Sequence, residues 1–201
     1  MKPYTVQMEI EGPFAMFRNP ASGSALVSYP MPPAPAVAGM FSAVARLKTA
    51  VIVPSKVELC SPIRYLPFSE NYRGMYRKSS QMAADTPFQS HAILLQDVCY
   101  RLYGECVTDY SQHPQQDSAH ALQDIFNRRL KRGQCAYPPA LGQARFLATY
   151  WGPFRAGTTV EETLSFDFPG FLSRMWDKTI DGQLSPMFVT AHIERGVLTY
   201  A

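Results

Sequence analysis

The sequence predicts an α+β domain of ferredoxin-like topology, in the order strand, helix, strand, strand, helix, strand (βαββαβ). Three observations predict it. Period-two and period-3.6 runs alternate in that order along residues 1–155. Each of the two helical stretches carries a single apolar stripe. Apolar residues make up 46% of the 201 residues and aromatics 12%, with only 17% charged. An ordinary soluble domain has about 25% charged residues. A chain of this length buries roughly 70% of the surface its unfolded form exposes, so its core needs no metal or disulfide. A net charge of +3 is too small for general disorder. The most apolar stretch, 34–45, contains Gly39 and Ser42 and falls well short of the ~20 residues of a membrane span. Met1-Lys2-Pro3-Tyr4 runs into an alternating segment and not a signal-peptide core, so a cytoplasmic protein without a membrane partner is expected.

Each element follows from its residues. Val6, Met8 and Ile10 alternate with Thr5, Gln7, Glu9 and Glu11, predicting a half-buried strand over 3–11, closed by Gly12-Pro13. Residues 18–35 are proline-rich and loop-like. Pro35 suits the first turn of a helix, where its missing N–H is an orphan anyway. Val37, Met40, Phe41, Val44 and Leu47 then predict a helix over 35–48. A valine-rich strand at 50–60 is interrupted by Pro54-Ser55. Residues 64–90 mix Arg64, Arg73, Arg77 and Lys78 with Tyr65, Phe68, Tyr72 and Tyr76 at no clean period, which predicts a projecting arm. A strand at 91–107 places Val98, Tyr100, Leu102, Gly104 and Cys106 on one face. Asp117 or Ser118 caps a second helix, whose stripe is Leu122, Ile125, Phe126 and Arg129/Leu130 and whose stop is Gly133. Residues 144–150 alternate as a strand. Residues 156–201 form an acidic β extension ending in a hairpin, Met187–Ile193 and Val197–Tyr200, turning at Glu194-Arg195-Gly196.

Cys60, Cys99, Cys106 and Cys135 form no C-x-x-C pair and read as reduced, mostly buried thiols. His91, His113, His120 and His192 have no metal-ligand spacing, so neither metal nor cofactor is expected. Chemistry concentrates instead in Arg128-Arg129-Leu130-Lys131-Arg132. Cations at a helix C-terminus complement the macrodipole. Here, however, only Asp124 offers an opposite charge on the helix, and Arg129 falls within the apolar stripe, where it must snorkel or meet an anion. Residues 120–155 hold six basic side chains to one acidic, while 156–201 hold three to six. Such segmental polarity suits a polyanion at one end and a protein at the other. Two helices on one sheet face also leave the other face free, as in RNA-binding domains of this topology.

At the level of motifs the chain resembles the CRISPR-associated Cas-five (Cas5) family, most closely its type I-C form. The likeness runs from Glu11-Gly12-Pro13-Phe14-Ala15-Met16-Phe17-Arg18-Asn19-Pro20 through Val27-Ser28-Tyr29-Pro30 and Pro33-Ala34-Pro35-Ala36 to Gly39. It continues in Leu94–Arg101, in Phe126–Cys135 with Pro139–Phe146, and in Met175-Trp176-Asp177 with the closing hairpin. The resemblance implies a repeat-associated (RAMP, RRM-like) fold that binds the five-prime handle of a CRISPR RNA in a Cascade-like complex. Backbone and large subunits would be its partners, target DNA would be met through the complex, and the 64–90 arm would be a thumb. The candidate RNA contacts are Arg18, Tyr29, Arg46, Lys48, Tyr72, Arg73, Tyr76, Arg77, Lys78, Arg128, Arg129, Lys131, Arg132, Gly142 and Arg145.

RNA-cutting relatives carry a tyrosine at the end of the first helix and an adjacent lysine–histidine pair in the second. This chain has Ala45 at the first place and Leu122-Gln123 at the second. None of these three side chains titrates near neutrality. His120, Lys48 and Tyr29 remain as general-base candidates, His120 foremost, and a variant type I or type IV-like system supplied by a separate nuclease is expected. The alternatives are a metal-independent endoribonuclease and a scaffold presenting Tyr29-Pro30-Met31-Pro32-Pro33 as a polyproline ligand.

Overall fold

A computed structural model describes residues 3–23, 25–75, 77–108, 118–177 and 183–200, without the side chains of Glu70, Tyr72, Trp176, Asp177, Gln183 and Leu184. The architecture is mixed α+β, with strands predominating in one curled sheet. Its first half comprises β1 (Tyr4–Ala15), β2 (Leu26–Val27), helix α1 (Ala34–Val44), β3 (Ala50–Leu59) and β4 (Tyr65–Tyr72). Helix α2 (Ser79–Ala83), the long β5 (Phe88–Thr108) and helix α3 (Ala119–Arg132) follow. The chain closes with β6 (Tyr150–Gly152), β7 (Phe166–Asp177), β8 (Gln183–Glu194) and β9 (Val197–Thr199). The strand order is β6-β1-β5-β3-β9-β8-β7, with β2 and β4 beside the early part of β5. Every pairing is antiparallel except the short β2–β5 contact.

Alternation places the core where the sequence predicts it. Val6, Met8 and Ile10 of β1 and Tyr100, Leu102 and Cys106 of β5 are buried beneath α1 and α3. The helices meet through Phe41 and Phe126, edge to face at 5.6 Å between ring centroids. Ring pairs of this kind contribute about 0.5–1.5 kcal/mol beyond the area they bury. Tyr29 and Tyr200 close the core by donating their hydroxyls to the Gly170 and Pro32 carbonyls at 2.9 and 2.6 Å.

Several boundaries differ from expectation. β1 does not stop at Gly12-Pro13. Gly12 pairs with Val98 and Phe14 with Gln96, and Asp97, opposite the proline, adopts a φ of 52°. Gly12 serves packing here, because a Cβ would lie 2.5 Å from the buried Leu141 side chain. α1 ends at Val44 and not at 48, because its last carbonyls are taken by another part of the chain. Val44 O accepts from Arg129 at 2.9 Å, and Ala43 O accepts from the Ala136 and Tyr137 amides at 2.8 and 3.2 Å. The chain leaves in extended conformation at Ala45. Residues 64–90 are more regular than their sequence suggests: β4 and the start of β5 form a hairpin, with α2 at its far end. Most described side chains of β4 are exposed, so no apolar period marked the strand.

In the second half, α3 matches its predicted span. Thr108 Oγ1 accepts the Ser118 and Ala119 amides, both at 3.1 Å, and Gly133 stops the helix at φ 64°. Asp117, the other expected cap, lies outside the described residues. The strand expected at 144–150 reduces to β6, because 139–148 fold back on themselves through Leu141 N–H to Phe146 O (2.7 Å) and Ala148 N–H to Pro139 O (3.0 Å). β7 went unpredicted; Pro169-Gly170 and repeated register shifts break its alternation. The β8–β9 hairpin turns as expected on Arg195 and Gly196, at φ 48° and 73°. β9 pairs with β3, so the C-terminal residues extend the same sheet.

Candidate nucleic-acid interface

Exposed positive charge collects where α3 ends against α1. The stripe of Leu122, Phe126 and Leu130 fixes the helix on the sheet and turns Arg128, Lys131 and Arg132 outward. The bond from Arg129 to Val44 ties this end to the turn between α1 and β3, which presents Arg46 and Lys48. Among the described residues none of these five exposed cations has a carboxylate within 4 Å. Arg46 and Lys48 also border a shallow cavity of about 330 Å³ whose wall includes Ala45 and Leu122.

That cavity unites the two places at which the resemblance implies reactive groups in RNA-cutting relatives, and here it is lined at both by buried hydrocarbon. Ala45 is 2% exposed and Leu122 1%. Gln123 donates its amide to Thr5 O at 2.8 Å. His120 is not among the lining residues. Its Nε2 lies 3.6 Å from Asp124 Oδ2, and its ring stands edge-on to Tyr4 at 5.6 Å. The arrangement can attract phosphates. At Ala45 and Leu122 it offers no side-chain proton acceptor.

The other expected contacts divide. Arg18 is exposed, with its guanidinium 3.3 Å from Gly23 O. Lys78 is exposed at the start of α2. Arg73 and Arg77 both pair with Asp85, at 3.1 and 3.2 Å, Arg73 at the surface and Arg77 largely covered. Arg77 also donates to the Gly74 and Thr86 carbonyls. Tyr76 and the Tyr72 side chain lie outside the described residues. Tyr29 is fully buried against Phe168 and Phe171, and cannot meet RNA in this fold. Burial raises its phenol pKa, which also removes it as a base. Tyr29 to Pro33 are all buried, so the polyproline-ligand reading fails. Arg129 is half-buried and donates Nη1 to the Val44 carbonyl. Gly142, at φ 94°, lets the backbone cross Met16, whose carbonyl oxygen would lie 1.9 Å from a Cβ. Arg145 packs over Phe146 at 5.3 Å and donates to Gln143 at 3.0 Å.

The sheet face away from the helices, expected to be open, is open at Thr5, Gln7, Glu105 and Val107 but carries a charged lattice under residues 150–158. Glu9 is wholly buried there. Its carboxylate accepts from Arg155 Nε at 2.5 Å, the Arg155 amide at 3.1 Å and Thr158 Oγ1 at 2.9 Å, with Arg101 Nε 3.6 Å away. Arg155 also bonds Glu11, and Arg101 donates to the Arg155 and Thr158 carbonyls at 3.2 and 2.7 Å. Burial alone would raise the Glu9 pKa. The side-chain and backbone hydrogen bonds from Arg155, with that of Thr158, outweigh it and hold the carboxyl below its ordinary range. Sequence reasoning missed this network because its halves lie far apart along the chain; the only local signal was two carboxylates on one strand face.

Comparison with known proteins adds independent observations. A sequence model of the family described as CRISPR-associated protein (Cas_Cas5) matches residues 5–166. A solved structure titled as a CRISPR-associated protein superposes with a TM-score of 0.74 at 17% identity, over 98% of this chain and 91% of that one. A functionally uncharacterized protein, SMU1763c from Streptococcus mutans, gives 0.69 at 16% identity, over 98% and 92%. A chain of a CRISPR RNA-guided surveillance complex gives 0.51 at 12% identity, over 98% and 90%. No curated protein matches. At these identities the structural likeness speaks for the fold.

Proposed function

Because the chain belongs to the CRISPR-associated Cas5 family, we propose that it is the subunit of a Cascade-like surveillance complex that holds the five-prime handle of the CRISPR RNA. The observation that carries this is the uncompensated basic end of α3 with Arg46 and Lys48 beside it. Guanidinium and ammonium groups there take phosphate oxygens by charge-assisted hydrogen bonds. A single-stranded handle gains affinity by releasing counterions. The central order β6-β1-β5-β3, with α1 and α3 as the connections, supports reading residues 1–155 as a ferredoxin-like RAMP domain. On this reading the β4–β5 hairpin is its thumb and residues 156–201 are a β extension. The subunit would cap the backbone filament, contact the large subunit and meet target DNA through the complex.

Binding without cleavage fits the hydrocarbon at Ala45 and Leu122. The test is co-expression with the neighbouring genes, purification of the assembly and sequencing of its RNA. CRISPR RNA with a defined five-prime end, lost when Arg128, Lys131 and Arg132 are replaced, is the expected result. An assembly without RNA would overturn it. Incubation with repeat RNA in chelator, at pH values on either side of neutrality, addresses the second reading. Site-specific cutting abolished by His120→Ala would make the protein a nuclease.

A further inference from the structure

We propose that Cys60 and Cys99 form a hydroperoxide-reactive dithiol that closes into a disulfide at the root of the β4–β5 hairpin. β3 ends with Leu59 opposite Tyr100, and the next residue, Cys60, donates its amide to Cys99 O at 2.9 Å. The cysteines therefore oppose each other on neighbouring antiparallel strands. Opposed residues in such a pair lie about 4.5–5.5 Å apart at Cα, within the roughly 4.4–6.8 Å that a disulfide spans. Leu59 and Tyr100 point into the core, so both cysteines point to the opposite face, where Cys99 also pairs with Glu11 of β1.

The two sulfurs differ in reactivity. The Cys60 S–H donates to Glu58 O at 3.8 Å and can turn instead to the adjacent Cys99 sulfur. Arg155 Nη2 stands 3.8 Å from the Cys99 sulfur. The Cys60 hydrogen bond and the Arg155 charge favour the Cys99 thiolate. Burial and the carboxylates of Glu9 and Glu11 oppose it, and the balance leaves Cys99 below the ordinary thiol range. Cys60 is held well above that range by the same hydrogen bond, by burial and by the charges of Cys99 and Glu9, against the opposing charge of Arg101. Cys99, beside Arg155 and lining an open cavity, is the attacking group, and Cys60 is the partner that resolves it. Access is provided by a cavity of about 410 Å³ lined by Cys99 with Glu11, Ser61, Asp97 and Thr149.

The chemistry balances with a hydroperoxide as oxidant. The Cys99 thiolate attacks the distal peroxide oxygen, the O–O bond breaks and the leaving oxygen takes a proton, leaving Cys99 as sulfenic acid. The Cys60 sulfur then attacks the Cys99 sulfur. The Cys60 proton leaves with the sulfenic hydroxyl as water, and the S–S bond forms. Two thiols are oxidised and one peroxide is reduced. The disulfide would join the points where the chain enters and leaves the hairpin.

The full-length reduced chain, freed of reductant, is titrated with hydrogen peroxide and digested with trypsin. The expected result is a linked pair of peptides, 57–64 and 79–101, with two of the four thiols lost and both restored by a dithiol reductant. In Cys60→Ser, Cys99 should stop at sulfenic acid and be captured by a cyclic diketone. In Cys99→Ser, Cys60 should survive the same peroxide dose. Oxidation of Cys135 while Cys60 and Cys99 stay free would overturn the proposal, as would equal reactivity of Cys60 in Cys99→Ser.

Discussion

The basic end of α3 and the charged lattice beneath residues 150–158 use the same side chain in opposite ways. Arg155 donates to Glu9 and Glu11, and Arg101 lies against Glu9 and donates to the Arg155 and Thr158 carbonyls, so the two bind residues 150–158 to the sheet. Arg128 and Arg132, with Lys131, face solvent without a carboxylate partner among the described residues. A compensated charge belongs to the fold, and an uncompensated exposed one is available to a ligand. Arg129 shows how narrow the margin is: one position along the helix from Arg128, it is spent on the Val44 carbonyl.

Breaking the lattice should have the largest effect. Glu9→Ala removes the buried carboxylate shared by Arg155, which keeps Glu11, and Arg101, which keeps two carbonyls; losing one partner of a buried pair costs about 3–5 kcal/mol. Arg155 is partly exposed, so the lower end, about 3 kcal/mol, is expected in urea denaturation. A loss below about 1 kcal/mol would make the lattice no different from surface pairs. The pH dependence sharpens this. The folded Glu9 pKa lies below its unfolded value, so its stabilisation is complete above the unfolded value and is lost as pH falls through the folded one. As pH falls below the unfolded glutamate value of about 4.3 the gap between wild type and Glu9→Gln should therefore narrow, closing below the lower folded pKa. Parallel curves down to acid unfolding would contradict that.

A smaller loss is expected at Arg129. Removing a charged donor from a helix-terminal carbonyl costs about 1.5–3 kcal/mol, and water can reach part of this site, so Arg129→Ala should fall near the lower bound in thermal melts. An unchanged melting temperature would return Arg129 to the ligand-binding set. The smallest effect concerns Asp85, whose pairs with Arg73 and Arg77 are exposed on the carboxylate side. Asp85→Asn should change stability by about 1 kcal/mol or less. It should also tighten RNA binding if the hairpin lies along the RNA; unchanged or weaker binding would remove the hairpin from the interface.

Where a segment has one wet and one buried face, its residues announced it. β1, β5, α1 and α3 were legible because Val6-Met8-Ile10 and Leu122-Phe126-Leu130 follow the periods of their elements. β4 is mostly exposed and β7 repeatedly shifts register, so neither keeps a period. The basic cluster of α3 was legible because it is local. The fate of Arg129 and Tyr29 was not, because the Val44 and Gly170 carbonyls that claim them lie far along the chain. The Arg73–Asp85–Arg77 grouping was equally hidden, since only the hairpin brings it together.

The most direct test is the salt dependence of binding between the purified chain and its own repeat RNA, compared with the Arg128→Gln/Lys131→Gln/Arg132→Gln variant. Each phosphate contact on a single strand contributes about 0.7 to the slope of log affinity against log salt. The account predicts weaker binding and a slope flattened by up to about 2 in the variant, with its melting temperature preserved. An unchanged slope at equal stability would contradict it, and would leave these cations as a solvated helix end.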